Sequence, residues 1–236
     1  MKRFRRLLLL AAALCIASNS CAVTAVADEY CFAMLFGSES QPKRLRYTHT
    51  WITFVRAVGE GPDLNSYALE LNTISWLPRT LEVKVLRPWP EPGINLELYQ
   101  SLKVVMDNQE SVTMWGPFVV DPALFRRSLM ITQVLNSGAA RYRAISTARN
   151  ILVTDCIHAV AAIDPMFGRR HYPLIRIGKP ASRYIAHEAM QRSMFDQYLY
   201  DNSWLIPRLG LNAYPIEVVP PQAIAKAPCG LCRQSD

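Results

Sequence analysis

The sequence has no internal repeat, no low-complexity run and, after its first 27 residues, no apolar segment long enough to cross a membrane. These absences exclude repeat and fibrous architectures and a later membrane-spanning helix. Charged residues are few, at 19%, whereas hydrophobic residues occupy 50% of the 236 positions. That balance is typical of a globular chain and excludes an intrinsically disordered one. The sixteen prolines argue against a long helical bundle, because each fixes a backbone dihedral and removes an amide donor.

Cysteine is scarce after residue 27, where only Cys31, Cys156, Cys229 and Cys232 remain. Cys229 and Cys232 form a C-x-x-C, but no second such pair exists to complete a zinc site. The pair also follows a proline near the chain end, whereas a redox C-x-x-C opens a helix beside a strand. We therefore predict a local disulfide or free thiols there, with no metal and no other cofactor.

The N-terminus has the pattern of an export signal. Four basic residues stand in the first six positions, an apolar stretch runs from Leu7 to Ala17, and Ala25-Val26-Ala27 fits the small-x-small cleavage motif. We predict a signal peptide over residues 1–27 and a mature chain from Asp28 that is periplasmic or secreted. Cys21 offers a lipoprotein alternative, but the position three before it lacks the usual leucine.

Removal of this signal changes the charge of the protein. The whole chain has 26 Lys and Arg against 19 Asp and Glu, and four of the basic residues but none of the acidic ones lie in residues 1–27. The mature chain therefore has 22 minus 19, a net charge of +3. So small a surplus does not favour nucleic acid, and the sequence shows no basic–aromatic patch of the kind such proteins use. We expect a cell-envelope peptide or lipid as the partner, and no nucleic acid.

The order of secondary structure elements predicts a mixed fold. β-Branched and aromatic residues predict three strands, over 47–57, 67–76 and 81–86. Residues 112–120 are also apolar and strand-like, although Gly116-Pro117 interrupts them. Caps and apolar spacing predict four helices, one capped by Asn95, one from Asp121 to Gly138, one capped by Asp155 and one capped by Ser182. The lead-in 28–42 gives no clear element, and residues from about 203 are interpreted as a C-terminal tail. Together these elements predict one α+β domain over 28–236, with an antiparallel sheet packed against a cysteine-bearing helix.

The segment V-T-D-C-I-H-A-V-A-A-I-D, from Val153 to Asp164, is the best candidate for chemistry. With Asp155 as the N-cap, Cys156 falls in the first helical turn, where the helix dipole favours a thiolate, the reactive form of cysteine. The alternative is an ordinary buried cysteine beside an apolar run. His158 is two positions further along the same helix, a spacing at which side chains do not face each other, so we expect it to be structural or to contact substrate.

A thiol nucleophile needs a base, and the base needs a group that orients it. Of the four histidines, His171 and His187 fall in a turn region and on an exposed-looking helix. His49 lies on the predicted strand Y-T-H-T-W, which is a stiff position for a base. Asn72, in the neighbouring strand, is the candidate to hold the far ring nitrogen of His49. Each also has an ordinary interpretation, as a half-buried strand histidine and as a polar residue on the solvent face.

The order of these residues resembles the circularly permuted papain-like cysteine hydrolases, which include NlpC-type hydrolases and lecithin-retinol acyltransferase-like enzymes. D-C-I-H-A is similar to their N-C-x-H helix start, and Y-T-H-T-W is similar to their histidine strand. The blocks H-T-W, T-I-S-W-x-P, M-W-G-P and C-I-H-A also resemble a set of secreted bacterial proteins. Carried over by position, the resemblance implies that Cys156 is the nucleophile, His49 the base and Asn72 the orienting group. Asp155 replaces the commoner asparagine of the motif, and its charge opposes a lowered thiol pKa.

What the resemblance implies is an exported thiol hydrolase or acyltransferase that acts on an amide or ester bond of a cell-envelope component. The backbone amide of Cys156 would help to hold the oxyanion. His158, Trp51 and Trp76 are expected to contact the substrate, although tryptophans in a chain of this size are mostly core residues. Two alternatives stay open: a non-catalytic periplasmic binding or structural protein on the same fold, and a redox protein that works through the C-x-x-C.

Overall fold

The structure is a computed structural model that describes residues 27–146, 151–164, 177–192, 194–196 and 201–226. Residues 1–26 of the predicted signal peptide, with Cys21 among them, lie outside these residues, as do His171 and the C-x-x-C. Within them the chain forms ten strands, β1 (Asp28–Ser40), β2 (Thr48–Gly59), β3 (Ala68–Ile74), β4 (Trp76–Pro78), β5 (Glu91–Asn95), β6 (Glu110–Val120), β7 (Arg141–Tyr142), β8 (Val153–Thr154), β9 (Phe195–Asp196) and β10 (Ile216–Val219). The same residues contain six helices, α1 (Leu98–Asp107), α2 (Pro122–Asn136), α3 (Cys156–Ala161), α4 (Lys179–Gln191), α5 (Leu205–Arg208) and α6 (Pro221–Lys226).

The larger of two sheets has the strand order β10-β6-β1-β2-β3, and β9 also pairs with β6. β1 runs antiparallel to both β2 and β6, and β2 runs antiparallel to β3. Only the marginal strand β10 lies parallel to its neighbour, among the pairings of this sheet that the structure describes. A smaller sheet has the order β4-β5-β7-β8 and leads directly into the cysteine helix α3. The predicted α+β class with a mainly antiparallel sheet is therefore confirmed.

Helices cover both faces of the larger sheet, because successive side chains of a strand point to opposite sides. Ile52 and Phe54 of β2 belong to a first core, which α2, α3, α4 and α6 complete. Trp51 and Val55 of β2 belong to a second core, which α1 and α5 complete. Burial of each large apolar side chain contributes roughly 1.5–3 kcal/mol, so the two cores hold the sheet between helical layers. Among the described residues, none of the helices has the length and apolarity needed to span a bilayer.

The central strand β1 occupies the lead-in for which the sequence predicted no element. Its residues Ala33 to Phe36 are 0% exposed, because the strand has a neighbour on each side and a core on each face. The middle of the strand, Cys31 to Phe36, is an unbroken apolar run without a β-branched residue, so neither period-2 alternation nor β-branched composition indicates a strand there. The predicted C-terminal tail is also part of the fold: Leu205 and Leu209 are buried in the second core, and β10 pairs with β6.

Two predicted elements are wrong in detail. Residues 81–86 are not a strand but lie in an irregular loop between β4 and β5, where Leu81 has a positive φ of 59°. Asn95 does not cap a helix; it ends β5, and its side chain accepts from the Ser75 N–H (2.9 Å) and donates to the Thr73 carbonyl (2.7 Å). Helix α1 instead begins after Glu97, whose N–H donates to the Gln100 side chain (3.0 Å).

Of the two longer helices, one begins at its predicted N-cap and the other does not. Asp121 is the N-cap of α2 as predicted, and its side chain accepts from the Ala123 N–H (2.7 Å). Ser182 does not cap α4, which begins at Lys179. The Ser182 hydroxyl lies inside the helix and donates to the Phe36 carbonyl of β1 (2.8 Å), so it ties the helix to the sheet.

A row of charged side chains crosses three strands near one end of the larger sheet. The Arg56 guanidinium of β2 donates to Glu29 of β1 (2.8 Å) and to Glu70 of β3 (3.1 Å). Opposite charges on neighbouring strands favour one pairing register over its alternatives. We refer to these three residues as the ion ladder.

Candidate functional site

The cysteine helix α3 begins where the sequence predicted. Asp155 is the N-cap, and its Oδ1 accepts from the His158 N–H at 2.8 Å. Its Oδ2 lies 2.7 Å from the Nδ1 of the His158 ring and accepts from the Ser146 N–H at 3.3 Å. The cap therefore fixes the first turn of the helix and the His158 ring together. This contact gives His158 a structural role, and its predicted contact with substrate stays a prediction.

Cys156 is a free cysteine, and the residue is 7% exposed. Burial raises its pKa to about 12, and the charge of Asp155 acts in the same direction. Three backbone amides oppose this shift by donating to the sulfur, those of Thr50, Ile157 and Cys156 itself. The thiol is therefore protonated at neutral pH, and the dipole of a six-residue helix does not overcome burial and a neighbouring carboxylate.

The donation from Thr50 shows which part of the sheet the sulfur touches. Thr50 belongs to β2 and follows His49 directly in the chain. The last residue of β3 paired with β2 is Ile74, opposite Ile52, so the edge of β2 at Thr50 has no β3 partner in the described register. Helix α3 packs against β2, and the Thr50 backbone lowers the pKa of the Cys156 thiol. The fold thus brings Cys156 to the strand segment that carries His49, across about a hundred residues of sequence.

The His49 side chain points into the second core, on the side of the sheet where Trp51 lies. Its ring stacks on Trp51 at a centroid distance of 5.2 Å, and its Nε2 lies 2.8 Å from the Ser75 hydroxyl. The Ser75 hydroxyl lies a further 2.7 Å from the hydroxyl of Ser101 in α1. Burial lowers the pKa of His49 to about 3, because the charged imidazolium is not solvated there. The imidazole is therefore neutral at any physiological pH.

The second ring nitrogen of His49, Nδ1, is buried and makes no hydrogen bond to any of the residues that the structure describes. An unmet buried polar atom costs roughly 1–3 kcal/mol, so such atoms are rare. With Nε2 held by Ser75, the Nδ1 is the nitrogen left for a proton transfer. No hydrogen bond joins Nδ1 to the Cys156 sulfur, because α3 packs in the first core whereas the His49 ring points into the second core, on the opposite face of the larger sheet.

Asn72 does not orient His49, which corrects the sequence-based assignment. Its Nδ2 donates to the Ser128 hydroxyl (2.8 Å), and its Oδ1 accepts from the Thr132 hydroxyl (3.1 Å). Both partners belong to α2, which packs on the first core, on the opposite face of the sheet from the His49 ring. The residue that does hold the ring is Ser75. Ser75 lies in the block T-I-S-W-L-P, where β3 ends and β4 begins. That block is part of the resemblance described above, and this is the one sequence feature that could have drawn attention to Ser75.

The two tryptophans predicted to contact substrate are core residues. Trp51 is 0% exposed and stacks between His49 and Phe36, with a ring-centroid distance of 5.0 Å to the phenylalanine. Trp76 is 1% exposed, and its Nε1 donates to the carbonyl of Thr154 at 3.2 Å. Neither lines an open groove in this structure. Trp76 has a different role, because its hydrogen bond anchors β8 just before Asp155.

Tyr142 completes the surroundings of the sulfur. It pairs with Thr154 in β8 and with Glu91 in β5, so it links the two strands next to the cysteine helix. Its pKa is raised by burial first and then by its electrostatic coupling to Cys156, Asp155 and Glu91. The phenol therefore stays protonated and does not act as a base.

The region described by the structure contains no group of three or more His, Cys, Asp or Glu side chains arranged to hold a metal ion. Comparison of the chain with protein-family models, with curated proteins and with solved structures gives no significant match. The function must therefore be argued from the residues themselves.

Proposed function

We propose that the chain is an exported thiol hydrolase or acyltransferase of the permuted papain-like type, acting on an amide or ester bond of a cell-envelope component. Cys156 is the nucleophile and His49 the general base in this proposal, and Ser75 replaces Asn72 as the group that orients the base. The supporting observation is that α3 packs against β2 and that the Thr50 backbone lowers the pKa of the Cys156 thiol, since Thr50 adjoins His49 in the strand.

The reaction proceeds through a thioester. His49 Nδ1 takes the thiol proton as the sulfur attacks the carbonyl carbon, while the Cys156 amide donates to the oxygen that becomes negative. The amine or alcohol then departs with the proton from His49. Water or an acceptor nucleophile attacks the thioester, gives its proton to His49 and releases the acyl group, and His49 returns the proton to sulfur. Ser75 keeps Nε2 engaged throughout, so that Nδ1 remains the basic nitrogen.

The pKa values favour general-base catalysis over a resting ion pair. A thiol with a pKa of about 12 and an imidazole with a pKa of about 3 are both neutral in the resting protein. The thiol belongs to α3 on the first-core face of the larger sheet, whereas the His49 ring points to the second-core face, so the proposal requires substrate binding to bring the two groups within reach before the proton moves. The same pKa values, together with the placement of the thiol and the imidazole on opposite faces of the larger sheet, favour the second candidate, a non-catalytic binding protein in which Cys156 and His49 are packing residues.

Alkylation of Cys156 by iodoacetamide, followed by peptide mass spectrometry, separates the two candidates. We expect His49→Gln and Ser75→Ala to slow the alkylation of Cys156 by about tenfold or more, because general-base assistance typically contributes that much or more to proton removal. Asn72→Ala is the matched control: it also removes a polar side chain at the β3 edge, but this one bonds to α2. Mapping by peptide distinguishes Cys156 from the other cysteines.

A second readout reports turnover. An activated ester such as p-nitrophenyl acetate should acetylate Cys156 and then release acetate, and both steps should be lost in Cys156→Ser. If His49→Gln and Asn72→Ala label at the same rate as the unaltered protein and no acetyl adduct forms, the enzyme proposal fails and the binding protein remains.

A further inference from the structure

An open groove of about 560 Å³ lies on the surface between two irregular segments. One wall is Arg44 to Arg46, at the 3₁₀ turn Leu45–Tyr47 that leads into β2. The other wall is Val83 to Arg87, in the loop between β4 and β5. Because the walls belong to different loops, neither stretch of sequence on its own indicates the groove. We call this surface the basic groove.

The basic groove carries an excess of positive charge. Half of its eight lining residues are cationic, namely Arg44, Arg46, Lys84 and Arg87. Arg87 lies 3.2 Å from Glu91, and Lys84 lies 3.9 Å from Glu82. Arg44 and Arg46 have no ion pair with any residue of the described ranges, and Arg46 instead lies over the ring of Tyr47. Within the described part of the chain, two exposed guanidinium groups therefore have no acidic partner.

Large apolar side chains project from the same two loops. Leu86 is 93% exposed, Trp89 is 74% exposed and Leu45 is 53% exposed, so these three residues are among the most exposed apolar side chains described. Pro88 and Pro90 flank Trp89, and each proline fixes one backbone dihedral. Binding through the Trp89 indole therefore loses less conformational entropy than binding through a residue of a flexible loop. Exposed apolar groups beside cations mark an interaction surface.

We propose that the basic groove docks the protein on a membrane surface that contains anionic lipids. Arg44 and Arg46 bind the phosphates of the headgroups, and Leu86 and Trp89 insert at the level where headgroups meet acyl chains. Tryptophan is favoured at that depth because its ring is apolar and its N–H is polar. Stable attachment needs two signals, an apolar one and an electrostatic one, and the groove supplies both. The proposal does not depend on the thiol chemistry at Cys156.

The aliphatic members of the surface favour a lipid over a nucleic acid. Single-stranded nucleic acids are held by aromatic side chains on which bases stack, and Leu45 and Leu86 have no π face to offer a base. Both gain instead from transfer into a hydrocarbon boundary, at roughly 25 cal/mol for each Å² removed from water. An acidic peptide would form ion pairs with Arg44 and Arg46 but would leave the Leu86 and Trp89 side chains exposed to water.

Vesicle co-sedimentation tests the proposal, using protein recovered from the periplasm of an expressing host. The protein should bind vesicles of phosphatidylcholine mixed with phosphatidylglycerol and not vesicles of phosphatidylcholine alone, and added salt should weaken the binding. Reversal of two charges in Arg44→Glu with Arg46→Glu should weaken it by about tenfold or more. Lys103→Glu is the matched control, because Lys103 is exposed on α1, away from the groove, and pairs only with Asp107 in the described structure.

Insertion is tested separately by the fluorescence of Trp89. Brominated phospholipids in the vesicle should quench part of the tryptophan emission, and Trp89→Phe should abolish that part. Leu86→Ser should reduce binding, whereas Met130→Ser, at an exposed apolar position of α2, should not. Equal binding to neutral and anionic vesicles, unchanged binding by the arginine variant, or tighter binding of a single-stranded oligonucleotide than of anionic vesicles would overturn the proposal.

Discussion

The Cys156 thiol and the His49 imidazole are both neutral in the folded protein, and burial is the first cause in each case. Burial pushes the two pKa values in opposite directions, since it penalises the thiolate of one and the imidazolium of the other. The three amides that donate to the sulfur moderate this effect without reversing it. At the scale of single residues, the proton therefore stays on the Cys156 sulfur until the solvation of the site changes.

The neutral state of His49 should be visible in the pH dependence of stability. Its pKa is about 3 in the folded protein but near 6.5 when unfolded, so the unfolded chain binds one more proton between these values. The free energy of unfolding should then fall as pH drops through this window, by about 1.4 kcal/mol per pH unit from this group alone. Urea unfolding of the unaltered protein and of His49→Gln across the window measures the difference.

The difference between the unaltered protein and His49→Gln isolates the contribution of His49 to the pH dependence of stability. Glu110, whose pKa burial raises, is present in both and cancels in the difference. We expect the slope of unfolding free energy against pH to be shallower in His49→Gln. Parallel slopes would mean that the imidazole accepts a proton without leaving the core, which contradicts a pKa near 3.

At the scale of elements, the site depends on the break between β3 and β4. β3 stops pairing with β2 at Ile74, the chain turns through Ser75, and Trp76 begins the smaller sheet. The break frees the edge of β2 at Thr50, and it directs the Ser75 hydroxyl toward His49. Trp76 then anchors β8 through Thr154, so the same break also positions the start of the cysteine helix.

A glycine of β5 keeps this arrangement in place. A Cβ at Gly93 would lie 2.0 Å from an atom of the Trp76 ring, so Gly93→Ala must displace the indole. We expect a loss of about 1–3 kcal/mol of stability, as is typical of overpacking, together with a changed alkylation rate at Cys156. Thermal unfolding and iodoacetamide labelling measure the two effects.

The control for this substitution is Gly61→Ala. Gly61 has a positive φ of 85° but nothing within 4 Å of its added Cβ, so only backbone strain of about 1 kcal/mol should result. In the Gly61→Ala protein, Cys156 should react with iodoacetamide at the same rate as in the unaltered protein. A Gly93→Ala protein as stable as the unaltered one would show that Trp76 is not held against β5.

Local patterns in the sequence predict some of these elements and not others. β2, β3 and α2 carry their own signals, namely runs of β-branched and aromatic residues and an Asp-Pro start, and these predictions are confirmed. β1 lacks the first of these signals, because it contains no Val, Ile or Thr. The assignment of Asn72 failed for another reason: which face a strand residue occupies, and where its strand stops, depend on pairing with β2 across the sheet. Sequence spacing alone does not fix that register.

At the scale of the whole molecule, the two ends of the described chain meet in one sheet. β1 is the first element described and occupies the centre of the larger sheet, whereas β10 is the last strand along the chain and lies beside β6 at the margin. Contacts between residues far apart in sequence therefore dominate the fold, and such contacts form late and slowly during folding. The described residues after position 200 contribute to the second core and are not an appendage.

Truncation tests this role. A chain that ends at Asn202 loses β10 and the buried side chains of Leu205, Leu209 and Leu211, so we expect insoluble or unfolded protein. A chain that ends at Lys226 keeps every described element and should unfold cooperatively, near the midpoint of the full chain. Soluble, cooperatively folded protein from the shorter chain would show that the second core is complete without this segment. Solubility after expression and thermal unfolding provide the comparison.

The ion ladder has a consequence for how molecules of this protein behave towards one another. β3 is the last strand of its sheet, and a bare outer strand is a template on which a second molecule can add its own strand, as in fibril growth. Glu70 sits on that strand and is fixed there by Arg56, so an incoming chain meets a carboxylate where it would need an apolar surface. The charges that set the register within one molecule thus also discourage aggregation between molecules.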